Sequence, residues 1–428
     1  MTDHSTFVGA PVELTPTQEA VRDEVGAICA EFDAGYWRER DRLGEYPNAF
    51  VDALGRAGWL GITLPEEYGG KGLGTEEAVA MFEEVARSGA GFGGAQTVHA
   101  AVYTAAPIVN YGSDDLKERL LPGVASGDVA VQTFALTEPG AGSESTAIET
   151  RAELVDGAGE GGEVEGGAGD DGDVYRVTGE KLWISRIDAS DYMVLVARTT
   201  PREDVERKTE GVTLFLVDLD DALGDGMSIE EIDKTASRVV HSYRVEFDGM
   251  EVPAENVIGE VGRGFYHVLD GLNEERLVVA AECVGLGEVA VERGVAYANE
   301  REVFGRPIGR NQAVQHPLAE AYARLGAAKC LVYDGAARAA GADDGAGGAV
   351  PDRKEVGFYA NAAKFLAADA CFAAADAAVQ THGGRGVARD YDVERYLREA
   401  RLTRLVPVTQ ELALSYIAET ALGLPRSY

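Results

Sequence analysis

The sequence is poor in lysine. Only eight of its 39 basic residues are lysine, and 73 acidic residues give the 428-residue chain a formal net charge of −34. A surface of this sign repels phosphate backbones, which excludes nucleic-acid binding through a broad basic face. An acidic, lysine-poor surface also predicts a protein adapted to strong salt, where dissolved ions screen its self-repulsion.

Cysteine is scarce too. The four cysteines, Cys29, Cys283, Cys330 and Cys371, lie far apart in apolar, helix-forming stretches, and no pair has CxxC spacing. This pattern predicts buried free thiols rather than disulfides. The sequence also contains no His/Cys/Asp cluster with metal-ligand spacing, and no Ser-His-acid arrangement stands out.

Long hydrophobic runs are absent. No segment approaches the roughly 18 uninterrupted apolar residues of a membrane span, so we expect no membrane-spanning segment. Residues 1–10 lack the basic stretch and apolar core of a secretory signal. With 45% hydrophobic residues the composition is that of a globular protein, and we expect it to be cytoplasmic.

The pattern along the chain is helices, then a β module, then helices again. Thr15 followed by Pro16 is typical of a helix start, and we expect a helix from residue 114 to residue 121 that Pro122 ends. Short β-branched or aromatic runs separated by turns predict strands: they cover residues 131–136, 175–177, 193–196, 212–217 and 243–247. Residues 155–173 form a glycine- and acid-rich insertion, which predicts an exposed loop.

The second helical region extends from about residue 264 to residue 422. Residues 339–352, rich in Gly and Asp with one Pro, are typical of a linker between two helices. We therefore expect an α+β multidomain fold with an α-helical domain over 1–130, a β domain over 131–257 and a helical bundle over 258–428.

Four glycine-containing turns are candidates for ligand binding. Residues 136–143 form a tight turn after a strand, whose backbone N–H groups could hold a phosphate or a flavin edge, although many such turns bind nothing. Residues 179–185 add Trp183, which either covers a ligand ring or belongs to the core. Residues 301–308 supply cations and an aromatic ring, and residues 380–386 leave a helix with His382, which we interpret as a packing residue.

In this order the motifs resemble those of the acyl-CoA dehydrogenase family over essentially the whole chain. The resemblance implies an N-terminal helical domain, a central β domain, a C-terminal four-helix bundle, bound FAD, a homotetramer, an acyl-CoA substrate and an electron-transfer flavoprotein as electron acceptor. It also implies cofactor-binding roles for sixteen residues. They are Phe134, Leu136, Thr137, Gly142, Ser143, Trp183, Ile184, Ser185, Arg301, Phe304, Gln312, Gln380, Gly383, Gly384, Thr409 and Glu411.

The chain departs from the family pattern at three positions. Ser185 stands where the family usually has threonine, and Arg186 stands where it usually has asparagine. Pro407 occupies the position of the usual catalytic glutamate near the C-terminus. Glu411 matches a different position, on the flavin side, and does not replace that base.

A minority of the family, including isovaleryl-CoA and long-chain dehydrogenases, has the base on a bundle helix, in a Glu that directly precedes an Arg. Glu275-Arg276 matches this signature. The resemblance therefore implies Glu275 as catalytic base, with Asn273, Arg276 and Ser143 on the substrate. The alternative for such a charged stretch is a solvated first helical turn, an interpretation we keep for Glu274.

The implied reaction is α,β-dehydrogenation of an acyl-CoA thioester to the trans-2-enoyl-CoA. The base removes the α proton while hydride leaves the β carbon for flavin N5. Pro407 lacks the backbone N–H that polarises the thioester carbonyl in relatives, and losing one such donor costs about 10² to 10³ in rate. Either another donor replaces it, or the turn is shifted, or the protein is a flavin oxidase or a catalytically weak CoA-binding homologue.

Overall fold

The computed structural model describes residues 12–155, 172–340 and 353–427. The first ten residues, most of the predicted insertion at 155–173 and most of the predicted linker at 339–352 lie outside these ranges. In the part of the chain that is described, no helix has the length and apolar character needed to cross a lipid bilayer.

Eight α-helices precede the sheet within residues 12–132. They are α1 (Pro16–Cys29), α2 (Ala34–Leu43), α3 (Asn48–Arg56), α4 (Thr75–Val85), α5 (Gly91–Gln96), α6 (Ala100–Tyr103), α7 (Ala106–Tyr111) and α8 (Asp114–Ser126). The predicted start of α1 is confirmed: Thr15 Oγ1 accepts from the Gln18 amide at 3.2 Å, and Gln18 Oε1 accepts from the Thr15 amide at 3.0 Å. The predicted end of α8 at Pro122 is wrong, because the helix continues to Ser126.

The central strands all belong to one sheet. They are β1 (Thr133–Ala135), β2 (Arg151–Val155), β3 (Val174–Ser185), β4 (Tyr192–Arg198), β5 (Val212–Asp218), β6 (Met227–Glu231), β7 (Ser242–Pro253) and β8 (Val257–Ile258), with the short helix α9 (Leu219–Ala222) between β5 and β6. The strand order is β6-β7-β3-β2-β4-β5-β8, and β1 pairs with β4. The five predicted strands are present; β2, β6 and β8 were not predicted.

The last helices contain the longest elements of the chain. They are α10 (Gly264–Glu300), α11 (Gln312–Ala340), α12 (Arg353–His382), α13 (Val393–Thr403) and α14 (Gln410–Thr420), and a hairpin of β9 (Glu302–Val303) and β10 (Arg306–Pro307) separates α10 from α11. The predicted order of helices, β module and helices is thereby confirmed.

The described chain divides into two compact units. Residues 12–43, 73–95 and 273–427 form a helical unit, and residues 44–72 and 96–272 form a unit built around the sheet. In the sheet unit, β4 alternates its side chains between two apolar cores, as the two-residue period of a strand requires. Met193 and Leu195 face β3 and β7, whereas Val194 and Val196 face α8.

The helical unit packs around alanine and valine side chains of α10, α11 and α12. Small residues let the helices approach closely: a Cβ at Gly285 would lie 2.2 Å from the Glu83 carbonyl oxygen. Beside this contact is a buried ion network, because Lys329 Nζ lies 2.6 Å from Glu83 Oε1 and 3.1 Å from Glu288 Oε1. Arg22 adds a contact of 3.1 Å to the same Glu83 oxygen.

The prediction of free thiols is confirmed for all four cysteines. Cys29, Cys283 and Cys371 are buried as predicted, but Cys330 is exposed. The burial prediction is wrong there because α11 carries Cys330 on its outward face, next to the buried Lys329.

Candidate active site

The turn at residues 136–143 is held from behind by a buried ion pair. Lys181 Nζ lies 2.8 Å from Glu138 Oε1 and donates to the Leu136 carbonyl at 3.0 Å. Both oxygens of Glu138 also accept main-chain N–H groups, from Glu149 at 2.6 Å and from Thr150 at 3.0 Å. The turn therefore has one defined conformation at the end of β1.

Electrostatics keep this carboxylate ionised. Burial acts to raise the pKa of Glu138, but the Lys181 ammonium and the Glu149 amide outweigh it and hold the pKa below its ordinary value. Lys181 has no exposed surface, so it compensates the charge without water between the two groups.

The other side of the turn is open. A Cβ at Gly140 or Gly142 would meet no protein atom within 4 Å, and Ser143 is exposed. Backbone N–H groups on an open glycine turn are a suitable surface for a negatively charged or hydrogen-bonding ligand edge.

The second predicted segment adjoins the first in the same unit. The Leu182 amide donates to the Thr137 carbonyl at 2.8 Å, and Thr133 Oγ1 donates to the Ser185 carbonyl at 3.2 Å. Trp183 has a left-handed φ of +64° and is 54% exposed, so its indole is not the core residue that was one of the two interpretations.

Two other members of this segment have internal partners. The Ile184 side chain is buried, so only its main chain is available to a ligand. Ser185 Oγ forms a hydrogen bond with Ser242 Oγ at 2.9 Å, which retains a hydroxyl at this position. Phe134, Leu136 and Thr137 are partly buried.

Arg186 has a role that the sequence did not reveal. Its φ is +68°, a region that non-glycine residues adopt rarely and that asparagine tolerates best. Its guanidinium is buried and donates to the carbonyls of Gln132 at 2.9 Å and Gln96 at 2.7 Å, and to the Tyr103 hydroxyl at 3.0 Å. The side chain thus ties the start of β1 to the α5–α6 region.

The candidate base lies in the helical unit. Asn273, Glu274, Glu275 and Arg276 are all partly buried on α10, and Arg276 Nη1 donates to Asn273 Oδ1 at 3.2 Å. Burial lowers the pKa of Arg276, while the Glu275 carboxylate acts against that effect. The expectation that Glu274 lies in a solvated first helical turn is wrong, because α10 begins at Gly264 and the Oε2 atom of Glu274 is buried.

A buried lysine that the sequence did not single out lies near this carboxylate. Lys364 of α12 has no exposed surface, and its Nζ donates to the Val408 carbonyl. Burial lowers the pKa of Lys364 to about 8; Arg276 acts in the same direction, and Cys283, Glu275 and Glu411 oppose it.

The turn next to Lys364 contains the proline at the usual base position. Pro407 is exposed, and the following Thr409 caps α14 through Oγ1, which accepts from the Leu412 amide at 3.3 Å. Glu411 in the first turn of α14 is exposed.

The remaining predicted cofactor residues form an exposed group in the helical unit. Arg301 closes the β9–β10 hairpin by accepting the Ile308 amide at 2.8 Å, and Phe304 at its tip is 99% exposed. The turn after α12 lies near the same helix end, because the His382 ring stacks on Tyr297 with centroids 4.2 Å apart. The interpretation of His382 as a packing residue agrees with this geometry.

The predicted residues of this group are accessible. Gln312, Gln380, Gly383 and Gly384 are exposed, and a Cβ at either glycine would meet no protein atom within 4 Å. The described residues contain no group of three or more His, Cys, Asp or Glu side chains that could hold a metal ion.

The donors fit FAD. The sheet unit offers an open glycine turn, an exposed indole and a serine hydroxyl for a planar polar ring. The helical unit offers an arginine, an exposed phenyl ring and an open glycine turn for a diphosphate and an adenosine. Sequence motifs identified these surfaces, but they missed Arg186 and Lys364, because a buried cation is recognised only by its partners.

Comparisons with known proteins cover the chain in three consecutive segments. Residues 15–128 match the acyl-CoA dehydrogenase N-terminal domain, residues 133–250 the middle domain and residues 262–422 the C-terminal domain. An acyl-CoA dehydrogenase of Mycobacterium bovis is 34% identical over 412 residues, which is 96% of this chain and 97% of that protein.

Solved structures agree with this result. The chain is similar to butyryl-CoA dehydrogenase from Megasphaera elsdenii, with a TM-score of 0.82, 28% identity and coverage of 96% of this chain and 99% of that chain. It is similar to a glutaryl-coenzyme A dehydrogenase solved with glutaryl-CoA, with a TM-score of 0.84, 27% identity and coverage of 97% and 98%. The chain therefore belongs to the acyl-CoA dehydrogenase family, whose members are FAD-dependent oxidoreductases that act on acyl-CoA thioesters.

Proposed function

We propose that this acyl-CoA dehydrogenase uses Glu275 as its catalytic base and forms a trans-2-enoyl-CoA. The observation that carries the assignment is the placement of Glu275 on α10, partly buried, beside Arg276 and within electrostatic reach of Lys364. The usual base position is Pro407, which has no ionisable group. A partly buried carboxylate on a bundle helix suits proton abstraction, because a positioned carboxylate can act as a general base.

The proposed step balances as a two-electron oxidation. The Glu275 carboxylate takes the proton from the α carbon, and the electron pair of that C–H bond forms the new C=C bond. The β C–H bond breaks, and its hydrogen leaves with both electrons. Bound FAD supplies the electron-accepting chemistry, and an electron-transfer flavoprotein removes the electrons afterwards.

The residues around the base bind and orient the substrate in this proposal. Asn273 and Arg276, already joined by a hydrogen bond, interact with the CoA side. Ser143 of the open glycine turn interacts with the thioester side. The Lys364–Val408 hydrogen bond fixes the turn that contains Pro407, so the carbonyl-polarising group must come from a position other than residue 407.

The cofactor assignments follow the two exposed surfaces. Phe134, Leu136, Thr137, Gly142 and Ser143, with Trp183, Ile184 and Ser185, bind the isoalloxazine. The diphosphate and adenosine bind to a second set: Arg301, Phe304, Gln312, Gln380, Gly383 and Gly384, with Thr409 and Glu411 on the flavin side. The complete exposure of Phe304 supports burial of this second set in a homotetramer. We also propose domain limits near residues 130 and 257.

Exchange of Glu275 for Gln tests the base assignment, and Glu274→Gln is the matched control. Both variants remove one carboxylate from the same helical turn and keep side-chain size. We expect Glu275→Gln to retain FAD and its absorption but to slow flavin bleaching by acyl-CoA about 10²- to 10⁴-fold, the usual contribution of a general base. Glu274→Gln should bleach within about tenfold of the wild-type rate.

The assay is anaerobic stopped-flow bleaching against a panel of acyl-CoA thioesters, which also identifies the preferred chain. Wild-type bleaching rates in Glu275→Gln would contradict the assignment. Rapid production of hydrogen peroxide by the wild-type protein without an electron-transfer partner would instead indicate an oxidase, and flavin that no acyl-CoA bleaches would indicate a CoA-binding homologue.

A further inference from the structure

Arg186 is a buried cation whose hydrogen-bond partners are all neutral. Among the described residues, its guanidinium bonds to the carbonyls of Gln132 and Gln96 and the hydroxyl of Tyr103, and its Nη1 lies 3.4 Å from His99 Nε2. Burial, aided by the Arg186 charge, lowers the pKa of His99 well below its ordinary value, so that imidazole is neutral. Buried arginines normally face a carboxylate; no hydrogen bond of Arg186 in the described chain reaches one.

The charged groups near Arg186 have hydrogen-bond partners of their own. Asp188, two residues along the chain, is bonded to His241 Nδ1 at 2.6 Å. That hydrogen bond raises the pKa of His241 to about 9, so Asp188 and His241 form a neutral pair at pH 7. Lys234 lies close enough for Arg186 to act on its pKa, and its Nζ also donates to main-chain carbonyls, among them Ser237 at 2.6 Å.

Further charges near this group are Glu231 and Arg238, which act on Lys234 with opposite sign, and Asp52, which acts with Arg186 on Tyr46. Among the described residues, neither Arg186 nor Lys234 hydrogen-bonds to a carboxylate. Because both are buried or largely buried, water screens their field poorly.

The location of this charge is specific. Arg186 directly follows Ser185, and its Nε bonds to the carbonyl of Gln132, the residue before β1. It therefore lies against the ends of the two segments that form the open isoalloxazine surface in the same unit.

We propose that Arg186 raises the reduction potential of bound FAD by holding a buried positive charge, with no carboxylate hydrogen-bonded to it, beside the isoalloxazine surface, an inference that rests on the cofactor placement proposed above. Two-electron reduction adds negative charge to the ring system, and a fixed cation in a poorly screened site favours the more negative form. The asparagine usual at this position in the family satisfies the backbone but carries no charge. The arginine would thus make oxidation of the thioester substrate more favourable.

Two substitutions at the same position separate charge from structure. Arg186→Asn removes the charge and suits the left-handed backbone, whereas Arg186→Lys keeps the charge and loses most of the hydrogen bonds. Tyr103→Phe removes one hydrogen bond to the guanidinium and leaves the charge in place. The potential of each holoprotein is measured spectroelectrochemically without acyl-CoA, so the result does not depend on Glu275.

We expect Arg186→Asn to weaken the preference for reduced over oxidised flavin by at least tenfold, which lowers the potential by about 30 mV for a two-electron couple. Arg186→Lys and Tyr103→Phe should stay within about threefold of wild type, or about 15 mV, even if their melting temperatures fall. A second variant tests the proposal if Arg186→Asn folds poorly. Gln96→Glu adds a negative charge on the residue whose main-chain carbonyl accepts Arg186 Nη1, keeps the side-chain oxygen that accepts the Ser237 hydroxyl, and should lower the potential as well.

The proposal is overturned if Arg186→Asn keeps the wild-type potential. It is also overturned if Tyr103→Phe lowers the potential as much as the neutral variant does, because the effect would then follow packing and not charge. If Arg186→Asn does not retain flavin, an unchanged potential in Gln96→Glu overturns it.

Discussion

Breaking the Lys181–Glu138 pair should loosen the open glycine turn. Lys181→Met removes the ammonium but leaves Glu138 with two main-chain N–H donors, from Glu149 and Thr150. Glu138→Gln is the harsher change. If its amide oxygen stays with Lys181 and Thr150, its amide nitrogen points at the Glu149 N–H, and the buried ammonium is left without an anion.

The expected loss of unfolding free energy follows from the burial of the ion pair. Removing one member of a buried ion pair costs about 3–5 kcal/mol, because the remaining charge is uncompensated. We expect Lys181→Met to lower the free energy of unfolding by about 3 kcal/mol, because Glu138 keeps two N–H donors. Glu138→Gln should lower it by an amount near the upper limit of this range. The double variant should cost less than the sum of the two single variants by about 0.5–3 kcal/mol, since the second change removes the charge that the first left unpaired.

The assay is urea unfolding of the four holoproteins at one fixed FAD concentration, followed by circular dichroism and by flavin release. Additive costs in the double variant would refute the reasoning, as would a loss below about 1 kcal/mol in both single variants.

The pH dependence of the unfolding free energy tests the same ion pair independently. The pKa of Glu138 is depressed in the folded state, so its contribution is present above the unfolded value and is lost as pH falls through the folded value. Glu138→Gln should lack this acid-side loss.

Two further predictions concern the sheet unit. The Asp188 hydrogen bond raises the pKa of His241 to about 9 in the folded protein. The stability that protonated His241 contributes is therefore fully present below its pKa in the unfolded chain, near 6.5, and is lost as pH rises through about 9. His241→Gln should remove that loss from a melting-temperature profile between pH 6 and 10, and an unchanged slope would contradict the ion pair. Gly142→Ala should fold as stably as wild type, because its Cβ meets no protein atom within 4 Å. It should nevertheless weaken FAD binding in a fluorescence titration; unaltered binding would remove this turn from the cofactor site.

Local sequence signals predicted the elements that local chemistry determines. Thr15 and Pro16 marked a helix start, and the apolar runs of β4 and β5 predicted buried strands. Pro122 was misleading because a proline inside α8 removes only one main-chain N–H, whose acceptor would be the carbonyl of Glu118, and Glu118 is an exposed residue.

Missed features depended on partners far along the chain. The strand β6 carries four exposed residues after Met227 and has too few apolar residues to be recognised, so only its pairing with β7 defines it. Arg186 could not be interpreted because its acceptors lie about 50 and 90 residues away. In the sequence, Lys364 resembles any other lysine of a helix. Only the fold shows that it is buried and that it donates to the Val408 carbonyl near the candidate base.

The exposure of Trp183 has a spectroscopic consequence. Of the three tryptophans, Trp37 and Trp59 are only 2% and 3% exposed, whereas Trp183 is 54% exposed in the segment that we propose binds the isoalloxazine. Buried indoles emit at shorter wavelengths than hydrated ones, so the long-wavelength part of the intrinsic emission belongs to Trp183. Flavin bound beside Trp183 would quench this long-wavelength emission by energy transfer and would change the shorter-wavelength emission least. The native chain thus contains its own optical reporter of cofactor occupancy, and no label has to be introduced.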